Sequence, residues 1–251
     1  MPDIIAQALA TEGLIWLVIA VAFAGLVRGF SGFGSAMIIM PAAASVLSPV
    51  EAVLFMSATE LIGPLPNVRS AWKTAARRDV ALLMLGAILA LPLGLWWLSS
   101  VDPTIFGWAV SMIVLLLLVL LMMGWRFRGA LTRNMTVGAG ALGGFMTGIS
   151  GLPGPPVIML YMASTLPISV IRANFTLYLL AIDLVLFPVL WLTGLMVWEI
   201  VVLGLLVGLV NFAANAVGGL LFNPNAERLF RTVAYIIIAT SAILGLPLWR
   251  G

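Results

Sequence analysis

The chain has 251 residues, 63% of them hydrophobic and 8% charged, with a net charge of only +3 and a mean hydropathy of +1.20. A soluble chain carries about a quarter charged residues, so composition excludes a water-exposed globular domain. The absence of cysteine and histidine excludes disulfides, thiolate nucleophiles, imidazole bases and most transition-metal sites; no metal and no cofactor is expected.

In chain order, uncharged runs occupy 14–27, 30–50, 80–101, 104–125, 135–171, 200–226 and 232–249. Two further apolar runs carry embedded acids, 52–68 with Glu60 and 173–197 with Asp183. Several reach about 20 residues, enough to cross roughly 30 Å of hydrocarbon. The first run follows Asp3 and Glu12 rather than a basic segment, so it reads as a retained element and not a cleaved signal peptide. The predicted class is an all-α polytopic membrane protein.

Two runs are interrupted. Gly29-Phe30-Ser31-Gly32-Phe33-Gly34 cuts the pattern over 14–47, and Gly148-Ile149-Ser150-Gly151-Leu152-Pro153-Gly154-Pro155-Pro156 cuts it over 136–164. Each cut predicts two half-length helices of about 13–16 residues, too short to span comfortably. Backbone freed at such a cut survives at membrane depth only within protein or beside a watered cavity. The cuts are related: sliding the chain to put Gly29 on Gly148 also puts Ser31, Gly32, Ile39, Met40, Leu47 and Trp72 on Ser150, Gly151, Ile158, Met159, Leu166 and Trp191. This predicts two homologous halves within one transmembrane domain. The first, 1–126, has a broken helix at 14–47 and helices at 50–68, 80–99 and 104–123. The second, 127–251, has a broken helix at 136–164 and helices at 169–193, 199–222 and 232–249.

Charge sets the expected orientation. Segment 69–79 holds Arg69, Lys73, Arg77 and Arg78; segment 124–134 holds Arg126, Arg128 and Arg133; segment 223–231 holds Arg228 and Arg231. Connections 99–104 and 193–198 hold no Lys or Arg. The positive-inside rule makes the first three cytoplasmic and the last two external. Equivalent loops then lie on opposite sides, so the repeat is inverted and each broken element makes no net crossing; length favours a re-entrant hairpin. Arg250 falls outside in this scheme and fits it poorly. Basic residues dispersed over short loops do not form the clustered surface that nucleic acid needs, so no nucleic-acid partner is expected.

Inverted repeats with discontinuous helices are a transporter architecture in which broken tips meet near the midplane. Half-helix N-termini present N–H groups and a positive dipole end to an anion. Candidate substrate contacts are therefore Arg28, Ser31, Gly32, Phe33 and Gly34 at the first break and Ser150, Gly151 and Gly154 at the second, with Arg172 and Asn174 opening the next helix. The competing reading of the glycines is close helix packing. Arg28 is either a bidentate anion clamp or a snorkelling interface anchor, and Arg172 carries the same pair of readings. Glu60 and Asp183, deep within apolar runs, are candidate coupling residues for a proton, or structural partners of Arg28 and Arg172. Asn211 and Asn215, at i and i+4, either line a cavity or join helices.

Gly-x-Ser-Gly occurs at both breaks, but a serine nucleophile needs a base, and the only lysine, Lys73, lies in a predicted cytoplasmic loop. The chain is not expected to be an enzyme. A passive channel gives the two acids no coupling role, and a scaffold gives the broken helices none.

Arg28-Gly29-Phe30-Ser31-Gly32-Phe33-Gly34 with Met40-Pro41, then Gly148-Ile149-Ser150-Gly151 with Gly154-Pro155-Pro156 and Tyr161, then Arg172-Ala173-Asn174, together resemble the TauE/SafE sulfite exporter family. The resemblance covers nearly the whole chain. It implies a multi-pass protein of the bacterial cytoplasmic (inner) membrane that transports a small sulfur-containing anion such as sulfite, sulfoacetate or a related sulfonate. Its expected partners are that anion, the lipid bilayer and a coupling proton. Many members carry consecutive glycines at the first break where this chain has Ser-Gly-Phe-Gly, so another small carboxylate or anion stays open as the substrate.

Overall fold

The structure is a computed structural model that describes residues 2–31, 34–123, 132–162, 164, 166–221 and 227–249. Among these it contains twelve α-helices: α1 (Pro2–Leu9), α2 (Leu14–Ser31), α3 (Ser35–Val46), α4 (Pro49–Glu60), α5 (Leu65–Thr74), α6 (Arg77–Ser100), α7 (Pro103–Met122), α8 (Arg133–Ser150), α9 (Gly154–Met162), α10 (Ile168–Leu192), α11 (Trp198–Leu221) and α12 (Glu227–Leu244). A 3₁₀ turn, Pro247–Trp249, follows. Four of them, α6, α7, α10 and α11, are long and apolar enough to cross a bilayer. Trp96, Leu192 and Leu220 are 72%, 79% and 87% exposed, a placement that water penalises and hydrocarbon does not. The protein is an all-α polytopic membrane protein.

Both predicted interruptions are present. Gly34, at φ 93, precedes α3, and Gly151, at φ 64, ends α8; a side chain at either position would be strained. The flanking pieces are uneven, with 18 and 12 residues at the first break and 18 and 9 at the second.

Three expectations need correction. The helix expected over 50–68 is two helices, α4 and α5, separated by a turn containing Gly63-Pro64. Pro64 has no N–H to offer the carbonyl of Glu60, so Glu60 is the last residue of α4 and does not lie deep in a full-length helix. Segment 69–79, expected as a loop, is largely helical: Arg69 and Lys73 belong to α5, and Arg77 and Arg78 open α6. The helix expected over 232–249 stops at Leu244; a Cβ at the following Gly245 would stand 2.6 Å from Pro41 Cβ and 2.8 Å from its carbonyl oxygen.

The chain forms two compact units that cut across the sequence halves. The first comprises Met1–Gly63, Val101–Val119 and Val197–Gly251. Here α2 lies along α11, because Gly25 and Gly29 face the carbonyls of Asn211 and Asn215 while Gly218 faces that of Leu26. Further toward the start of α11 on the same stripe, Gly204 and Gly208 admit α4 at Phe55, Ala58 and Thr59. Without a hydrophobic drive between helices in lipid, such small-residue contacts let backbones approach and gain dispersion. α12 packs on α3, where the Ser241 hydroxyl donates to the Ile38 carbonyl at 2.7 Å.

The second unit comprises Pro64–Ser100 and Leu120–Met196. Gly140, Gly144 and Gly148 lie one turn apart along α8 and meet Leu83, Ala87 and Gly94 of α6. α10 lies against α5, α6 and α9. Ala71 is buried with Ala173 and Leu177 of α10, and Val68, Ala75 and Val80 pack around them.

Candidate functional site

In the first unit Arg28 stands one turn before the end of α2. Its Nη1 donates to Glu60 Oε2 at the end of α4 and lies 3.4 Å from Ser35 Oγ in the first turn of α3. The other Glu60 oxygen, Oε1, accepts from Asn211 Nδ2 at 3.1 Å. Four elements (α2, α3, α4 and α11) thus converge on one carboxylate and one guanidinium. The Arg28 side chain is 21% exposed and that of Glu60 10%, so the pair is largely, though not wholly, withdrawn. Gly63 leaves the approach to Arg28 open: a Cβ there would stand 3.7 Å from Nη1. Among the described residues, Thr59 Oγ1 and Asn211 Oδ1 are buried without a hydrogen-bond partner, which leaves acceptor capacity unused on α4 and α11.

Of the sequence-predicted contacts at the first break, Gly32, Phe33 and the Ser31 side chain lie outside the described residues. Gly34 supplies the left-handed entry to α3. Arg28 and Glu60, considered as clamp and coupling residue, are each other's partner.

The second unit holds the remaining predicted residues. The buried Ser150 hydroxyl donates to the Met146 carbonyl at 2.9 Å, and the Gly151 N–H donates to Thr147 O at 2.9 Å. Gly154 opens α9, and a Cβ there would stand 3.1 Å from Phe175 Cζ. Arg172 is exposed on α10. Asn174 is fully buried and used on both sides: Oδ1 accepts from the Ala76 N–H at 2.8 Å and Nδ2 donates to the Tyr161 hydroxyl at 3.0 Å. That amide ties α10 to the start of α6 and to α9. Asp183 is buried within α10, 7% exposed.

Three residues escaped the sequence reading as site candidates, two of them tyrosines. Tyr178 is fully buried, and among the described residues its hydroxyl has no hydrogen-bond partner. It abuts Gly143, where a Cβ would also stand 3.0 Å from the Pro153 carbonyl at the second break. Tyr161, quoted above only as part of a resemblance, is the partner of Asn174. The available signal was scarcity, since the chain has only three tyrosines and a buried phenol needs a reason. Ser35, which meets Arg28 beside Glu60, carries no sequence signal, because one serine in an apolar helix is ordinary.

Neither the curated proteins nor the solved structures compared with the chain contain a match. The profile of the family described as Sulfite exporter TauE/SafE matches residues 17–244, a span that takes in both breaks, the Arg28–Glu60 pair and the Asn174 tie. By that match over nearly its whole length, the chain belongs to the TauE/SafE sulfite exporter family of membrane transporters.

Proposed function

We propose that the protein is a secondary transporter of a small sulfur-containing anion (sulfite, sulfoacetate or a related sulfonate) in a bacterial cytoplasmic membrane, with Arg28 as the anion clamp and Glu60 as the proton carrier. The observation that carries this reading is the Arg28–Glu60 pair, with Asn211 on the second carboxylate oxygen. An ionised Glu60 occupies Arg28. A protonated Glu60 no longer competes for it, and the guanidinium then takes the oxyanion through a charge-assisted hydrogen bond. Proton and anion therefore bind together, which is the coupling a secondary transporter needs.

Asn211 suits both states. With Nδ2 toward Glu60 it donates to the carboxylate; turned by half a rotation, the Oδ1 that now lacks a partner accepts from the carboxylic acid. Ser31, Gly32, Phe33 and Gly34 remain proposed substrate contacts beside Arg28. Ser150, Gly151, Gly154 and Arg172 are proposed contacts of the second half, with Asp183 a second proton carrier and Asn174 a positioning residue. Duplication is supported by a shared pattern. In each unit the first piece of one half's broken helix lies along the other half's next-to-last helix, α2 on α11 and α8 on α6.

The test is transport of labelled sulfite into proteoliposomes under an imposed proton gradient. Glu60→Gln is expected to abolish accumulation against a gradient while substrate exchange persists. Accumulation by Glu60→Gln with the parent's pH dependence would overturn the coupling, and purely downhill flux in the parent protein would indicate a passive channel instead.

A further inference from the structure

We propose that the outward face of α5 binds the headgroup of an anionic phospholipid. The helix is two-faced. Ala71, with Val68 beside it, packs on Ala173 and Leu177 of α10. Leu65, Arg69, Trp72 and Lys73 follow one another at helical spacing on the side turned away from Ala71, with Val68 at the edge between the two, and all four are exposed. Leu65 and Trp72 are 57% and 55% exposed, and together they make an apolar patch that water penalises.

These side chains border an open groove of about 660 Å³ lined by Leu65, Val68, Arg69, Trp72, Lys73 and Leu180. Its floor is aliphatic, and its cations come from α5. Beside it, the Arg77 guanidinium stacks over the Trp72 ring, 5.0 Å from the centroid, a cation–π contact that fixes an indole next to positive charge. An apolar trough beside two cations and an ordered tryptophan matches an acyl chain continuing into a phosphodiester. Indole rings favour the same depth, where hydrocarbon meets headgroups.

Charge complementarity decides the lipid class. Segment 69–79 has four cations, Arg69, Lys73, Arg77 and Arg78, against the single acid Asp79. A zwitterionic headgroup would gain little from that excess. An anionic one gains about a factor of five per nearby cation, so the Arg69 and Lys73 pair is worth roughly ten- to thirtyfold in affinity. The groove lies within the second unit and uses no residue assigned to anion transport, so this inference stands or falls independently of the transport reading.

The experiment uses the full chain in detergent micelles. Thermal unfolding and native mass spectrometry would compare phosphatidylglycerol, phosphatidylcholine with the same acyl chains, and glycerol phosphate. Phosphatidylglycerol is expected to raise the unfolding midpoint and remain as an adduct, with the other two much weaker. Arg69→Gln/Lys73→Gln should weaken phosphatidylglycerol binding about ten- to thirtyfold, and Trp72→Ala should also weaken it. Unchanged circular dichroism would show that the variants are folded. Equal binding of both lipids, an unaffected double variant, or an effect reproduced by glycerol phosphate alone would overturn the proposal. So would self-association through this face that phosphatidylglycerol fails to displace.

Discussion

Arg28 and Glu60 are one ion pair joining the end of α2 to the end of α4. Removing one partner from a withdrawn pair strands the other charge, which costs about 3–5 kcal/mol when burial is complete and less here because Arg28 keeps some exposure. Arg28→Ala and Glu60→Ala should each lower stability in detergent by roughly 2 kcal/mol, with the double variant well short of their sum. Thermal unfolding of the three proteins measures this. Additive losses would mean that the two groups do not interact.

Arg28 also separates a clamp from a counter-ion. Arg28→Lys keeps the charge but loses the planar fork, so it should retain most of the stability yet bind sulfite about tenfold more weakly, with Arg28→Ala approaching a hundredfold. Titration of purified protein with sulfite checks this. Parent-like affinity in Arg28→Ala would move the clamp elsewhere.

Asn174 should behave as a tie. Asn174→Leu leaves the Ala76 N–H and the Tyr161 hydroxyl without this partner and should cost about 2–4 kcal/mol. Tyr161→Phe, which deletes one hydroxyl, should cost nearer 1 kcal/mol. A stable Asn174→Leu protein that has lost only substrate affinity would make Asn174 a ligand instead.

Glycines of one helix should diverge in effect. Gly151→Ala forces a side chain onto a left-handed residue at φ 64 and should destabilise by about 1–2 kcal/mol. Gly138→Ala meets nothing within 4 Å and should be neutral or stabilise by about 0.5–1 kcal/mol through helix propensity. The unfolding midpoints should therefore shift in opposite directions, and a shared direction would refute the assignment of Gly151 to a conformational role.

Asp102, in the connection before α7, accepts from the Thr104 N–H at 2.7 Å. That backbone bond, reinforced by the Thr104 side chain, holds its carboxyl below the usual range. A carboxyl lowered by folding contributes fully above its unfolded pKa and loses that contribution as pH falls through the lowered value. Asp102→Asn should flatten this acid-side loss by removing the small contribution near neutral pH, so the two proteins differ slightly there and converge in acid. Unfolding measured from neutral to acidic pH in both proteins would show whether the acid limb depends on Asp102.

Orientation is testable by labelling. Cysteines at the exposed positions Thr74 and Thr193 should react with a membrane-impermeant maleimide from opposite sides, Thr74→Cys from the cytoplasm. Labelling of both from the same side would remove the topology derived from loop charge.

The membrane class, both helix breaks and the family follow from the sequence because they rest on local properties. Hydropathy accumulates along a run, and Gly-rich or Pro-rich stretches interrupt a helix wherever they stand. The same local logic holds at Gly63-Pro64, but the apolar residues around it mask the break in hydropathy, and only the structure sets Glu60 at the end of α4. The cationic stretch around Arg69 and Lys73 read as a loop because charge masked the helical spacing of Leu65, Val68, Ala71 and Trp72. Only the tertiary structure decided who pairs with whom. Arg28 meets Glu60 across 32 residues, Ala76 meets Asn174 across 98, and Asn211 meets Glu60 across 151. It also decided that Asn174 ties helices together while Glu60 faces Arg28. A buried polar group must find some partner in a medium without water, and which one it finds depends on the helices packed beside it.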